Sequence, residues 1–286
     1  MKPKRQNQLN QQKESLRKPQ KRQSNNTSWG KVANWYDDYL KDEDNYQNKV
    51  ILPNLLRLLD LDSLSDDSHV LDIGCGQGFF IDKIINSTNK YINIYGLDLG
   101  SDLISIAKDN LSKYDNVVLE NADAANMKNI KSDSIDLVYS VLALQNMKDL
   151  DKVVSEISRV LKNGKRAVLV INHPSFRIPK DSDWYFDNTF RRQGRVVYNY
   201  MSDKKYAIDM NPGQKAMSGK NEQTFSFHHP LQYFSKLFYK NNLAILKIEE
   251  WMSHKKSQPG PKQQAEDNAR KEIPMFMCLE LINIAK

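Results

Sequence analysis

Three glycines at alternate positions are the residues best able to hold a ligand against bare backbone. They lie in Val70-Leu71-Asp72-Ile73-Gly74-Cys75-Gly76-Gln77-Gly78-Phe79, an apolar strand running through a Gly-x-Gly-x-Gly turn into a helix. Glycine lets the chain turn tightly and leaves room for a ligand beside it. The dinucleotide pattern Gly-x-Gly-x-x-Gly puts its last glycine one place later, where Phe79 stands, so a nicotinamide oxidoreductase fits poorly. The Gly-Lys-Ser/Thr of a nucleotide phosphate loop is absent. Acids follow at two further strand ends, Asp98 in Gly96-Leu97-Asp98-Leu99 and Asp123 in Asn121-Ala122-Asp123-Ala124.

The order of these segments resembles that of the class I S-adenosylmethionine (SAM)-dependent methyltransferases, and most nearly their quinone-biosynthesis-like, small-molecule branch. Asp133-Ser134-Ile135-Asp136-Leu137-Val138 and Glu156-Ile157-Ser158-Arg159-Val160-Leu161-Lys162-Asn163-Gly164 complete the resemblance, which covers residues 29–172 well and the last helix and two strands in outline. It implies SAM as cofactor, lying on Gly74, Gly76 and Gly78. Asp72 would meet the methionine ammonium group, Asp98 the two ribose hydroxyls and Asp123 the adenine amine. Leu99, Ala122 and Tyr139 would complete that contact set. Two departures stand out. Asn146 occupies a place where many relatives have His, and Leu161-Lys162-Asn163-Gly164-Lys165 replaces the usual Leu-Lys-Pro-Gly-Gly.

The elements that must position these residues follow from periodicity. Short apolar runs predict strands at Val70–Ile73, Ile92–Leu97, Val117–Glu120, Ile135–Tyr139 and Ala167–Ile171. Amphipathic stretches between them predict helices at Phe79–Ile85, Asp102–Leu111 and Leu150–Leu161, the last stopped by Asn163-Gly164. An earlier helix runs from Val50 to Leu59 with Pro53 as a kink. A helix at Leu231–Tyr239 and strands at Ala244–Glu249 and Phe276–Ile284 close the chain, with a polar loop over Ser253–Pro274. The expected fold is α/β: a doubly wound, mostly parallel, seven-stranded sheet, a Rossmann-like methyltransferase core with an inserted cap after the fifth strand.

The cap is residues 173–229, rich in aromatic residues and arginine, with partial alternation at Arg195–Tyr200, Lys205–Asp209 and Thr224–Phe227. Arg191, Arg192 and Arg195 are candidates to bind a carboxylate or phosphate on the acceptor, against the plainer reading of a solvated hairpin face. Tyr36, beside Trp35 on an N-terminal helix that covers the cofactor in relatives, is a further substrate-binding candidate. His173, just past the fifth strand, and His228 and His229 before Pro230 are candidate general bases. No histidine pair has zinc-site spacing with partner ligands, so no metal is expected.

Composition bounds the rest. Of 286 residues, 40% are hydrophobic and 27% charged, enough for a core and too apolar for wholesale disorder. The net charge of +7 resides in residues 1–28, which hold eight basic residues and one acid; the remainder balances. Those residues are read as a disordered tail, and 29–286 as the methyltransferase domain. Weak RNA or anionic-surface contact would rest on that tail, as would an RNA- or protein-directed methyltransferase. Two cysteines make no disulfide framework, and no apolar run approaches the roughly 20 residues of a spanning helix. A cytoplasmic enzyme is therefore expected, transferring a methyl group to a small-molecule acceptor. A SAM-binding module without turnover is the non-enzymatic alternative.

Overall fold

The computed structural model describes residues 40, 42–209 and 223–285. The tail 1–28, Trp35 and Tyr36 lie outside the described residues. Seven strands form one sheet: β1 (His69–Ile73), β2 (Asn93–Asp98), β3 (Val117–Asn121), β4 (Ile135–Val141), β5 (Leu161–Asn172), β10 (Leu243–Trp251) and β11 (Phe276–Asn283). Their spatial order is β3-β2-β1-β4-β5-β11-β10. The first five strands run parallel, and β11 lies antiparallel to both β5 and β10. The order reverses between β1 and β4, and the crevice beyond the strand ends there is where open α/β sheets bind ligands.

Among the described residues six helices flank the sheet: α1 (Leu52–Leu59), α2 (Phe79–Ile85), α3 (Ser101–Asn110), α4 (Leu150–Val160), α5 (Leu231–Lys240) and α6 (Gln263–Glu272). Strand alternation divides the core into two layers. Leu71, Ile73, Val138, Leu169 and Ile171 pack with α4 and α5. Val70, Leu137, Tyr139, Val168 and Val170 pack with α1, α2 and α3. Asp72 and Tyr139 therefore project toward the second layer.

The structure alters four details of the sequence reading. Asn163-Gly164 does not end a helix: α4 stops at Val160, and Leu161 is already extended. Residues 162–165 form a bulge inside β5, where Leu161 pairs with Ile135 and Arg166 with Leu137. Gly164 adopts a positive φ of 72° there, and Lys162 anchors the bulge on Asp136 at 2.9 Å. The expected loop over 253–274 contains α6, which buries only Ala269 and so has no apolar stripe to reveal it. Pro53 kinks nothing, because it lies in the first turn of α1, after a five-residue π turn at Gln47–Ile51. Finally, two hairpins stand between β5 and α5, and the first strand of the first one was not expected: β6 (Ser182–Asp187) pairs with β7 (Arg192–Val197), and β8 (Lys204–Asp209) with β9 (Gln223–His228).

One buried ion pair ties helix to sheet. Arg166 reaches Glu280 on β11 at 2.5 Å and donates to the carbonyls of Leu58 and Leu59 at the end of α1, each at 3.1 Å. Glu280 is only 7% exposed, so removing its main partner strands a carboxylate in the sheet. Arg166→Ala should lower unfolding free energy by about 2–3 kcal/mol, moderated because Lys247 lies 3.4 Å from the same carboxylate. Arg166→Met combined with Glu280→Leu should recover most of that loss, as read by chemical denaturation. Equal losses in the single and double variants would show that the pair is not what matters.

Candidate functional site

The glycine turn joins β1 to α2. Gly74, Gly76 and Gly78 all have positive φ, at 76°, 54° and 82°. At Gly74 a side chain is excluded twice over: besides the φ, a Cβ would lie 2.4 Å from the Cβ of Ala143 in the segment after β4. At Gly76 a Cβ would meet nothing within 4 Å, so this part of the turn faces open space. Backbone bonds hold the turn in place, with the amides of Gly74 and Cys75 both donating to the Leu97 carbonyl, at 2.8 and 3.0 Å.

Asp98, at the end of β2, clamps the same turn. Its two carboxylate oxygens accept from the amides of Gly76 at 3.0 Å and Gly100 at 2.8 Å. Burial raises its pKa, and these two amides oppose the rise. Each oxygen keeps a second acceptor site, so hydroxyl groups could still be bound. Asn121 secures the neighbouring backbone by donating to the carbonyls of Asp98 and Leu99, at 3.0 and 2.9 Å. Sequence reasoning gave Asn121 no such role. The side chain of Leu99 is exposed, and Ala122 is half-buried beside the carbonyl of Asp98, which accepts from its amide at 3.1 Å. Asp123 is exposed, and its Oδ1 accepts from the amide of Ala125 at 2.9 Å, a local turn contact that leaves its other oxygen facing outward.

Asp72 is different in kind. It is 2% exposed on the central strand, and no well-formed hydrogen bond from the described residues reaches it. Burial pushes its carboxyl up to about 8; the Tyr139 phenol pulls the other way, and the Asp98 charge adds to the rise. Tyr139 is its cross-strand neighbour, fully buried, and its hydroxyl faces the carboxyl without reaching hydrogen-bond geometry. The Tyr139 hydroxyl thus lies buried without a well-formed hydrogen bond beside a carboxyl that no basic side chain among the described residues pairs, an arrangement that normally costs stability. Cys75 is buried close to Asp72, and burial pushes its thiol well above its ordinary range, so it is no nucleophile. A cavity of about 600 Å³ lies against the outer side of Gln77 and Gly78, but none of these acids lines it.

The three candidate histidines separate clearly. His173 uses both ring nitrogens: Nδ1 accepts from the Ser175 amide at 3.2 Å, and Nε2 meets Glu250 at 2.6 Å. Burial lowers its pKa more than Glu250 raises it. Its ring is a joint between β5 and β10, with no nitrogen left for a proton from substrate. His228 donates from Nε2 to the Tyr200 carbonyl at 2.8 Å, and burial lowers its pKa. His229 places Nδ1 2.9 Å from the Asp203 carboxylate, and its Nε2 is buried with no partner. Arg191 and Arg192 stand exposed at the tip of the β6–β7 hairpin, Arg192 lying over the Phe190 ring. Arg195 is half-buried and donates to the Phe176 carbonyl and to Ser182. Among the described residues, no cluster of three or more His, Cys, Asp or Glu side chains is placed to hold a metal ion, and no helix is long and apolar enough to cross a membrane.

A family described as "Methyltransferase domain" matches residues 64–217, more than half of the chain. The chain belongs to this methyltransferase-domain family. Among similar proteins, a demethylmenaquinone methyltransferase of Lactiplantibacillus plantarum is 28% identical over 148 residues, covering 50% of this chain and 62% of that one. A ubiquinone/menaquinone biosynthesis C-methyltransferase of Campylobacter jejuni is 28% identical over 152 residues, with the same coverage. The match thus spans less than two thirds of these relatives' length. A solved SAM-dependent methyltransferase from Mesorhizobium loti superposes with a TM-score of 0.59 at 21% identity, covering 80% of this chain and 96% of that one. Phosphoethanolamine N-methyltransferase 2 of Haemonchus contortus, solved with SAM, gives 0.57 at 13% identity, covering 90% and 57%. These likenesses establish that the methyltransferase-domain sheet is the Rossmann-like one of SAM-dependent methyltransferases.

The unpaired Asp72 has a measurable signature. Its carboxyl titrates near 3.8 when unfolded and about 8 when folded, so the folded state holds the proton more tightly. Wild type should therefore lose stability as pH rises from about 4 to 8, by up to ~1.4 kcal/mol per pH unit, and level off above. Asp72→Asn should lack that slope and be the more stable protein at pH 8. Parallel denaturation curves for the two across this range would show that Asp72 is already paired.

Proposed function

We propose that this chain transfers the methyl group of SAM to a small-molecule acceptor. The observation that carries the proposal is the buried Asp72 carboxyl, paired with no cation among the described residues, beneath a glycine turn whose Gly76 face is open. A cation is the partner such a group lacks, and the residues present fit the proposed cofactor: a carboxyl for an ammonium group, an acidic clamp for vicinal hydroxyls, and a turn without side chains. When bound, SAM supplies a methyl carbon on a sulfonium, a good leaving group.

The chain's own work is then positional. Asp72 ionises to pair with the ammonium, the contact that the methyltransferase resemblance implies. Asp98 accepts from the ribose hydroxyls with the lone pairs its backbone amides leave free. Asp123 takes the adenine amine on its outward oxygen. Holding two reactants in line is by itself worth on the order of 7–11 kcal/mol in favourable intramolecular cases. A general base is needed only where the acceptor must lose a proton, and His229 is the candidate histidine whose Nε2 is buried with no partner. Residues 173–229, with their two hairpins above the strand ends, are proposed as the acceptor cap. The names of the quinone-pathway relatives favour a small acceptor over RNA or protein, and the macromolecular reading rests on residues 1–28, outside the described structure.

Calorimetric titration with S-adenosylhomocysteine tests the proposal. Wild type should bind saturably, and Asp98→Ala should bind about 30-fold or more weakly, from the loss of charge-assisted hydrogen bonds worth about 1.5–3 kcal/mol each. Failure of the folded wild type to bind, or equal binding by the variant, would count against it.

A further inference from the structure

A second set of unpartnered polar groups lies apart from the glycine turn, where the β8–β9 hairpin covers the end of β5. A small cavity of about 30 Å³ there is lined by Gln145, Asn172, Arg177, His228 and His229. It has room for a water or a carboxylate-sized group. Three atoms of its lining are buried without a hydrogen-bond partner: Gln145 Oε1, Arg177 Nε and His229 Nε2. Gln145 donates its Nε2 to the Leu142 carbonyl at 2.9 Å, which fixes Oε1 as the free end. His229 Nδ1 lies 2.9 Å from the Asp203 carboxylate, so in the neutral ring that donates from Nδ1 the free Nε2 is an acceptor. The His229 ring is held by stacking on Tyr233, at 4.0 Å and 11°.

Arg177 is the cation in this group, and among the described residues it has no carboxylate within ion-pair distance. Its guanidinium lies over the Trp184 ring at 5.4 Å, and Arg195 lies over the same ring at 5.1 Å. Burial pushes its pKa down to about 10, and the charges of Arg195 and Arg270 add to that. Glu250 is taken by His173, and Asp203 by His229. Half-buried guanidinium groups are ordinarily paired, because an uncompensated charge in a dry site is expensive. The hairpin strand β9 packs on the Leu144–Asn146 turn, and Ala143, two residues before Gln145, abuts Gly74. The segment that carries Gln145 therefore also touches the glycine turn, although no residue of that turn lines the cavity.

We propose that this cavity anchors an acceptor that carries both an anionic group, bound by Arg177, and a hydroxyl, donated to Gln145 Oε1 or His229 Nε2. A small hydroxy acid has this chemistry. The proposal deepens the methyltransferase reading and rests on it for the word acceptor, while the anion site itself is independent of methyl transfer. The exposed Arg191 and Arg192 play no part in it.

Protein saturated with S-adenosylhomocysteine is titrated with salicylate and 4-hydroxybenzoate, with their amides, and with benzoate. At least one hydroxybenzoate should bind saturably, and its amide and benzoate at least tenfold more weakly. Arg177→Gln should lose at least tenfold in hydroxybenzoate affinity, Arg177→Lys less, and neither should change S-adenosylhomocysteine affinity more than twofold. The midpoint of thermal unfolding of Arg177→Gln without ligand should not fall, because an unpaired buried charge has been removed. Absence of hydroxybenzoate binding, equal binding of acid and amide, or wild-type affinity in Arg177→Gln would overturn the proposal. A fall in the unfolding midpoint would do so too, by marking Arg177 as structural. If S-adenosylhomocysteine fails to bind while hydroxybenzoate binding still depends on Arg177, the anion site stands and the methyltransferase reading falls. If the reverse holds, only the anion site falls.

Discussion

A carboxyl without a partner on the central strand is the constraint around which the rest of the site is arranged. Asp72 is dry because β1 is flanked by β2 and β4 and roofed by the second core layer. The strand order that buries it also opens the crevice above it, since the sheet reverses direction between β1 and β4. A neutral or hydrophobic residue at this position would suit the core better. That an acid occupies it, opposite a buried phenol and with no basic side chain among the described residues to pair it, is what the proposed cation would explain.

Around that acid the other elements divide the work. The Asp98 carboxylate holds the amides of Gly76 and Gly100, so one side chain fixes the glycine turn and the β2–α3 connection together. Asn121 repeats the device one strand further out. On the far side, β5 carries no site acid; it presents His173 as a joint to β10 and delivers the chain to the two hairpins. Partnerless polar groups recur there, around Arg177 and His229. On the two proposals, the same trade of stability for recognition would be made twice, once for a cation and once for an anion.

Much of this was legible in the sequence. Strand–helix alternation specified five parallel strands and two later ones, because each buried strand is a short apolar run bounded by polar turns, as in Val70–Ile73. The glycine turn was legible because only glycine tolerates its geometry at Gly74. What the sequence hid has physical causes. Helix α6 is polar on nearly every face. The Leu161–Arg166 bulge looks like a helix stop because Asn163-Gly164 serves both purposes. In the cap, four arginines of similar appearance differ only in burial: Arg191 and Arg192 are exposed, Arg195 bonds to backbone, and Arg177 alone lines the small cavity. No spacing rule separates them, and the hydrogen bonds that distinguish His173 from His229 come from residues as distant as Glu250 and Asp203.

The most direct test counts protons. S-adenosylhomocysteine should be titrated calorimetrically at pH 7 in two buffers of different ionisation enthalpy. With Asp72 titrating at about 8 in the free protein, most molecules hold its proton at pH 7, and pairing with an ammonium must expel it. The account predicts release of about one proton per ligand bound by wild type, and none by any Asp72→Asn protein that still binds. Binding by wild type without proton release would mean that Asp72 is not the waiting partner of the cation, and would contradict the account at its centre.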